Sequence, residues 1–267
     1  ISKLKIDIRV NDIMRVALFN KAVALKANGD TQGSIRIYKD IITQSEADFP
    51  VYFNLANALT SEGQFEEAIK NYNLALKYNE NDYDVLQNMG IAYLHAGRRH
   101  DAKDIFNQIL KNSPDFQAAR FGLANIALGF HDFSNGWELY KARWFDQGFL
   151  QAEKERSAGY LKYFKTIKFP SDLKGKSLLI VGEQGPGDTL MFLSILPDLM
   201  NVNEKITILV NKRLIKLLEH SFTGVNFEDI LTYKYKGDHD CVLPVGDLPL
   251  LFRKNKIDFP GSKYISP

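Results

Sequence analysis

The first 150 residues repeat one pattern of apolar, small and turn-forming positions every 34 residues. When Arg15, Phe49, Tyr83 and Gln117 are set as first positions, the eighth position is small, the fifteenth suits a turn and the twenty-fourth carries a large ring. These columns are Ala22, Ala56, Gly90 and Ala124, then Gly29, Gly63, Gly97 and His131, then Tyr38, Tyr72, Phe106 and Tyr140. Small residues let two helices approach closely and glycine marks a turn, so the pattern predicts one helical hairpin in each unit.

The pattern resembles tetratricopeptide repeats, over residues 15 to about 144. Because one hairpin cannot bury its apolar face alone, such units stack into a right-handed superhelix, with the first helix of each hairpin on the concave face. We expect a lead-in at 1–14 and about four repeats within 15–150. An irregular helical bundle is the alternative.

An asparagine recurs at the sixth position of the first three units, at Asn20, Asn54 and Asn88, and Gly122 ends the series. Each amide has a donor and an acceptor, so a column of amides can hold an extended peptide by its backbone. Similar asparagine ladders occur in the repeats of protein O-GlcNAc transferases. The ladder predicts a short groove for a protein or peptide partner; its alternative role is to bond neighbouring helices.

The second helix of the fourth unit differs from its counterparts. This helix is predicted over 132–144, DFSNGWELYKARW, and it holds both tryptophans of the chain, Trp137 and Trp144. A spacing of seven residues places the two rings on one helical face. We interpret them as a junction with the following domain; stacking on a ligand is the alternative.

Beyond a polar segment predicted as a linker over 151–172, strands alternate with helices. Short apolar runs predict buried strands at 176–181, 205–211, 225–230 and 240–243. Helices are predicted at 188–200, 212–220 and 248–253. This alternation predicts a parallel, doubly wound sheet in a Rossmann-like α/β domain over 173–267.

The first strand-to-helix turn, GEQGPGDT over 182–189, is the most informative loop. Its glycines permit close backbone approach, and the next helix offers free N–H groups to an anion or a polar sugar. Leu190 replaces the third glycine of a dinucleotide fingerprint and Asn211 ends the second strand instead of an acid, which disfavours a nicotinamide or flavin enzyme. No Gly-Lys-Ser/Thr follows, so a P-loop is excluded. A loop that only turns the chain is the alternative.

The stretch IVGEQGPGDTLMFLSILP, residues 180–197, resembles the start of the α/β domain in bacterial tetratricopeptide proteins with a glycosyltransferase-like domain. These proteins are related to heptosyltransferases and O-GlcNAc transferases. In that family E-Q-G-x-G-D-T follows repeats ending in G-W-x-x-Y, which here are Gly136, Trp137 and Tyr140. The stretch CVLPVGDLPLLF resembles the end of the family's first Rossmann half, although Gly246-Asp247 stands where a serine is more usual.

The resemblance implies the N-terminal half of a GT-B glycosyltransferase, a fold whose halves bind acceptor and nucleotide-sugar donor. It implies that Asp188 removes the acceptor hydroxyl proton, without a metal or cofactor, and that the loop lines the acceptor side through Gln184, Gly185, Gly187 and Thr189. Asp188 has a second interpretation, because a carboxylate at a helix N-terminus also caps the helix. We expect the chain to be a fragment that lacks the donor-binding half and is inactive alone.

Composition excludes several classes of function. Hydrophobic residues make up 45% and charged residues 25%, and no run approaches the roughly 18 apolar residues of a membrane span. The net charge of +2 is −1 for residues 1–150 and +3 for the remainder, which gives no basic face for nucleic acid. The single cysteine, Cys241, is expected in a buried strand and favours a reducing cytoplasm. The histidines lack the spacing of a metal site.

We therefore predict a glycosyltransferase-like protein whose repeats bind a protein or peptide and whose full-length form transfers a sugar from a nucleotide-sugar donor. The alternative function is a non-catalytic interaction scaffold in which the α/β part is a docking surface. Self-association through exposed ends of the repeats is a further expectation.

Overall fold

Each predicted hairpin is a pair of helices in the computed structural model, which describes residues 2–44 and 47–266. The pairs are α1 (Ser2–Ala27) with α2 (Thr31–Gln44), α3 (Phe49–Ser61) with α4 (Phe65–Leu76), α5 (Tyr83–His95) with α6 (Arg99–Asn112), and α7 (Gln117–Gly129) with α8 (Phe133–Tyr140). The chain divides into two units, Ile1–Gly122 and Leu123–Pro267, and the division falls within α7.

The turns between paired helices use the left-handed backbone conformation that the glycine column predicts. The φ angles are 89° at Gly29, 74° at Gly63 and 75° at Gly97. His131 takes the same place in the fourth unit with φ 63°. A residue other than glycine rarely adopts this backbone region. The fourth unit therefore keeps the turn geometry at His131 despite the conformational cost.

The ring column forms the centre of the repeat core. Tyr38, Tyr72 and Phe106 are at most 1% exposed. A Cβ placed on Gly90 would lie 2.6 Å from the Phe106 ring, and one on Gly122 would lie 2.5 Å from it. Glycine on both neighbouring first helices therefore makes the space that this large ring fills.

The predicted lead-in is not separate from the first unit in its described part. α1 begins at Ser2 and continues to Ala27. No glycine or proline occurs between these residues, so nothing in the sequence stops the helix before the repeat begins.

The second unit contains the predicted parallel sheet. Its strands are β1 (Leu178–Val181), β2 (Ile206–Val210), β3 (Asn226–Asp229) and β4 (Cys241–Pro244), in the order β3-β2-β1-β4. All three pairings are parallel, and in register Ile180 pairs with Ile208 on one side and Leu243 on the other. Cys241 is buried in β4, as its apolar neighbours predict.

Helices connect and flank these strands. They are α9 (Gln147–Glu153), α10 (Pro186–Leu193), α11 (Leu196–Val202), α12 (Lys212–Ser221) and α13 (Leu248–Phe252). Short 3₁₀ helices cover Lys141–Phe145, Ser157–Tyr163, Pro170–Leu173, Val245–Asp247 and Lys256–Asp258.

Two helix predictions were wrong in extent. The helix expected over 188–200 is two helices, α10 and α11, because Pro197 cannot continue the first one. Arg253 Nη2 donates to the Ser194 carbonyl at this break, at 3.2 Å. The helix expected over 132–144 ends at Tyr140, and Trp144 lies in the 3₁₀ helix that follows, so the two tryptophans do not share a helical face.

The segment predicted as a linker, 151–172, contacts the sheet. Tyr160 packs against the apolar cluster that includes Leu179 and Val242, and its hydroxyl donates to the Tyr233 carbonyl at 3.4 Å. Phe164 forms a parallel bridge with Val242 in β4. Glu153 and Ser157 are also buried. This segment is therefore ordered by buried contacts that its polar composition does not predict.

We predict that Gly90→Ala destabilises the repeat unit because the new methyl group collides with the Phe106 ring. Overpacking of this kind costs about 1–3 kcal/mol, which thermal unfolding followed by circular dichroism will measure as a lower midpoint. Gly159→Ala is the control, since no atom lies within 4 Å of a Cβ there. Adding Phe106→Leu to Gly90→Ala should recover part of the lost stability. Equal thermal midpoints for Gly90→Ala and Gly159→Ala would contradict the prediction.

Candidate functional site

The loop after β1 has a constrained backbone. Gln184 has φ 59°, a left-handed conformation that is uncommon for a residue with a side chain. Asp188 Oδ2 accepts from the Gly185 N–H at 3.3 Å, so this carboxylate caps α10. Thr189 is buried, and its hydroxyl donates to the Glu183 carbonyl at 3.2 Å. Three of the predicted residues thus maintain the loop itself.

A buried ion pair anchors this loop. Arg143 binds Glu183 with two parallel bonds of 3.0 Å, from Nε to Oε1 and from Nη2 to Oε2. Nη2 also donates to Asp247 Oδ1 at 2.7 Å, and Nη1 donates to the Tyr140 carbonyl at 3.2 Å. The side chains of Arg143 and Glu183 are fully buried. We name Arg143, Glu183 and Asp247 the Arg143 cluster.

Burial and charge oppose each other in this cluster. Burial lowers the pKa of Arg143, but Glu183 and Asp247 outweigh it, so the pKa of Arg143 rises above its ordinary value and the guanidinium keeps its charge. Burial raises the pKa of Glu183, and the bidentate contact with Arg143 opposes this rise. Bidentate geometry fits an ionised pair, because both carboxylate oxygens accept from the guanidinium.

The backbone and side chain of Gln184 have partners around the cluster. Its N–H donates to Glu153 Oε1 at 2.8 Å, and its carbonyl accepts from Arg156 Nη1. Its Nε2 donates to the Tyr140 hydroxyl at 2.5 Å. Burial raises the pKa of Tyr140 to about 12, so the phenol stays protonated at neutral pH.

The Arg143 cluster lies at the point where the order of the strands reverses. β2 and β3 lie on one side of β1, and β4 lies on the other. In open parallel sheets, ligands bind in the crevice at the carboxyl ends of the strands beside such a reversal. Glu183 follows β1, Asp247 follows β4, and Arg143 bridges the two carboxylates. A guanidinium therefore occupies the usual ligand position.

Little space is left beside the loop. A small cavity lined by Arg156, Gln184, Asn211 and Ile230, among others, has a volume of about 20 Å³. That volume admits about one water molecule. Gly187 is exposed and Asp188 is half-buried, so the accessible part of the predicted site is its outer rim.

The predicted asparagine ladder lies in the first unit. Asn88 Nδ2 donates to Asn57 Oδ1 at 3.2 Å, and the Tyr72 hydroxyl donates to the same oxygen at 2.7 Å. Asn54 Nδ2 donates to the Pro50 carbonyl of its own helix at 2.9 Å, whereas Asn20 is exposed. Asn88 thus bonds two neighbouring first helices, as the structural alternative expects. Within residues 2–44 and 47–266, neither Asn54 Oδ1 nor Asn88 Oδ1 accepts a hydrogen bond.

These amides lie on one face of successive first helices, since α1 contacts α3 and α3 contacts α5. Positions 2, 6, 9 and 13 of a helix share a face because they are three or four residues apart. We name this set of positions the asparagine face. Its residues in the first three repeats are Val16, Asn20, Val23, Ala27, Pro50, Asn54, Asn57, Ser61, Asp84, Asn88, Ile91 and His95.

The role of Arg143 was not predicted from the sequence. It stands at position 27, where the other repeats have Ile41, Ala75 and Ile109. A charge in place of a buried apolar residue indicates a specific buried partner, and this signal was available in the repeat alignment. Glu183 had no comparable signal, since it follows an apolar strand like many exposed loop residues.

In the part of the chain that the structure describes, no group of three or more His, Cys, Asp or Glu side chains is placed to hold a metal ion. Over the same residues, no helix combines the length and apolar character needed to cross a membrane.

Residues 59–126 match the family model of the tetratricopeptide repeat. Among curated proteins, Protein FlbA of Caulobacter vibrioides is 31% identical over 127 residues, which cover 46% of this chain. The matched region spans only 20% of FlbA.

Similar solved structures include two proteins with tetratricopeptide repeats. The second repeat domain of human RPAP3, in complex with an HSP70 peptide, is 21% identical with a TM-score of 0.41 and covers 43% of this chain and 97% of its own. A tetratricopeptide repeat protein from Parabacteroides merdae is also 21% identical, with a TM-score of 0.44, and covers 49% of this chain and 57% of its own.

We predict that Arg143→Met destabilises the second unit by about 3–5 kcal/mol, because it leaves the Glu183 carboxylate buried without a partner. Denaturant unfolding will measure the loss. Arg143→Lys should remain destabilised, since an ammonium cannot form both parallel bonds.

The control is Lys141→Met, which removes the partly exposed contact with Glu138 and should cost at most about 1 kcal/mol. Combining Arg143→Met with Glu183→Gln should cost less than the sum of the single changes. Additive losses would show that the pair does not act as a unit.

Proposed function

We propose that this protein is an interaction scaffold whose repeats bind an extended, uncharged segment of a partner protein on the asparagine face. The proposal depends on two amide oxygens, Asn54 Oδ1 and Asn88 Oδ1, which accept no hydrogen bond from any other described residue. They lie on neighbouring first helices of the same face. An extended backbone presents N–H donors to such acceptors whatever its side chains are.

The remaining positions of the face favour apolar side chains in the partner. Val16 is 52% exposed and Val23 is 42% exposed on α1, and Ile91 is half-buried on α5. Exposed apolar side chains beside amides provide the contact area that backbone hydrogen bonds alone lack. The face thus suits a segment that alternates backbone contacts with apolar side chains.

Charge on the face disfavours an acidic partner. Among the twelve positions of the asparagine face, the one Asp, Glu, Lys or Arg residue is Asp84. An acidic segment would meet no lysine or arginine at these positions and would face the Asp84 carboxylate. Charge complementarity therefore favours a neutral segment.

We predict that Asn54→Ala weakens binding to peptides selected from a random phage-displayed library, by about fivefold to tenfold, because one backbone hydrogen bond is lost. Fluorescence anisotropy with a selected peptide will measure the affinity. The selected sequences should be rich in apolar residues and poor in acidic ones.

Asn73→Ala is the matched control. Asn73 also donates to the carbonyl four residues earlier, at 2.9 Å, but it lies on α4 and outside the face. Both variants should keep the thermal midpoint of the parent. Equal affinities for the two variants, or a library that yields only acidic peptides, would overturn the proposal.

Sugar transfer by the full-length protein is the second candidate function. The left-handed Gln184 favours it, since strained backbone is concentrated at functional loops. In this candidate the α/β part is the Rossmann-like acceptor half of a GT-B enzyme, Asp188 acts as base, and a nucleotide-sugar donor binds to a second half. The acceptor would contact the outer rim at Gly187 and Asp188, because the Arg143 cluster occupies the crevice.

We predict that, if the full-length protein transfers sugar, Asp188→Asn lowers turnover by at least about 100-fold, the size typical of a lost general base. Incorporation of label from a panel of nucleotide sugars into cellular protein will measure it. Asp172→Asn is the control, because Asp172 caps a 3₁₀ helix by accepting from Phe169 N but lies outside the loop. Equal turnover for both variants would assign Asp188 to helix capping alone.

A further inference from the structure

A second, larger cavity lies beside β4 and away from the loop. Its volume is about 220 Å³, against about 20 Å³ for the cavity beside the loop. Its walls come from the 3₁₀ helix at 141–145, the segment at 161–167, β4 and α13. Most of the lining is apolar, including Phe164, Leu243, Leu248 and Leu251. Such a surface holds water poorly and suits an apolar group.

One buried donor in the cavity wall has no partner. Trp144 lines the cavity, and its Nε1 is shielded from solvent without a hydrogen-bond acceptor in the described residues. The other tryptophan differs, since Trp137 Nε1 donates to the Arg253 carbonyl at 3.0 Å. Buried indole N–H groups usually have an acceptor. Because Trp144 Nε1 has almost no accessible surface, a molecule in the cavity would touch the carbon atoms of the ring and leave this nitrogen covered.

The Trp144 ring is held in place on several sides. Phe149 packs edge-on at 5.0 Å between ring centroids, and Phe164 lies at 5.3 Å. The Arg143 guanidinium lies 4.9 Å from the ring on the cluster side. The ring therefore has little freedom to turn its N–H toward another acceptor.

The charges around the cavity are mainly positive. Lys141 and Lys165 line it, and the one acidic lining residue, Asp247, is paired with Arg143. Lys141 also contacts Glu138, whereas Lys165 is exposed and has no ion pair within the described residues. An unpaired cation beside an apolar cavity attracts a group with an apolar body and a negative end.

We infer that this cavity binds a small amphipathic anion, such as a medium-chain carboxylate, with its apolar chain among the leucines and beside the Trp144 ring and its oxygens near Lys165. The inference is independent of the proposed repeat function, because every residue that carries it lies in the second unit.

Octanoate is the probe, and the two indole N–H resonances of the isotope-labelled full chain report its binding. Trp144→Phe assigns the resonances by deleting one. Added octanoate should shift the Trp144 resonance to saturation and leave the Trp137 resonance in place. Octanoate affinity should fall about fivefold in Lys165→Gln, the size of one exposed charge contact, and return in Lys165→Arg.

Three results would overturn the inference. The first is an unmoved Trp144 resonance, or equal shifts of both resonances. The second is equal affinity for the uncharged alcohol of the same chain length, which would remove the role of the anion. The third is a Trp144 shift that depends on protein concentration without octanoate, which would assign the cavity to a second copy of the chain.

Discussion

The buried pair of Arg143 and Glu183 is the interaction on which the rest of the second unit depends. Two charges without solvent are stable together only if their hydrogen-bonding groups are satisfied, because removing either ion from water is expensive. Here both oxygens of Glu183 accept from the guanidinium, and Asp247 and the Tyr140 carbonyl take further N–H groups. The requirement for complete pairing fixes the loop after β1 and the turn after β4 at once.

That constraint extends into the conformation of neighbouring residues. A Cβ at Gly246 would collide with the Glu183 carboxylate, so only glycine fits there while the pair is formed. The Gly246-Asp247 dipeptide thus supplies both the space and the second carboxylate. Thr189 and Gln184 complete the loop by bonds to the Glu183 carbonyl and to Tyr140. The conformation of the loop is therefore fixed by contacts within the protein and does not require a ligand.

The sequence was informative where structure follows from periodicity, and less so where it follows from single contacts. A 34-residue period predicts hairpins because every unit repeats the same glycine turn and buried ring, and apolar runs predict parallel strands because both faces are covered. Helix ends depended on local features that the patterns obscured, as at Pro197. The Arg143 cluster joins residues about 40 and 104 positions apart, and no periodicity relates them. The one sign of the cluster in the sequence was a charged residue, Arg143, at a position that is apolar in the other repeats.

The cluster also bears differently on the two candidate functions of the protein, sugar transfer and scaffolding. A ligand that entered the crevice between β1 and β4 would displace a guanidinium from a buried carboxylate, at a cost of about 3–5 kcal/mol. That cost would cancel the contribution of about three to five polar sugar contacts, since each is worth about 1 kcal/mol. If the full-length protein transfers sugar, its acceptor would therefore bind the rim at Gly187 and Asp188, with the crevice closed. A scaffold has no such requirement, because a fully paired interior holds its surface in one conformation without any ligand.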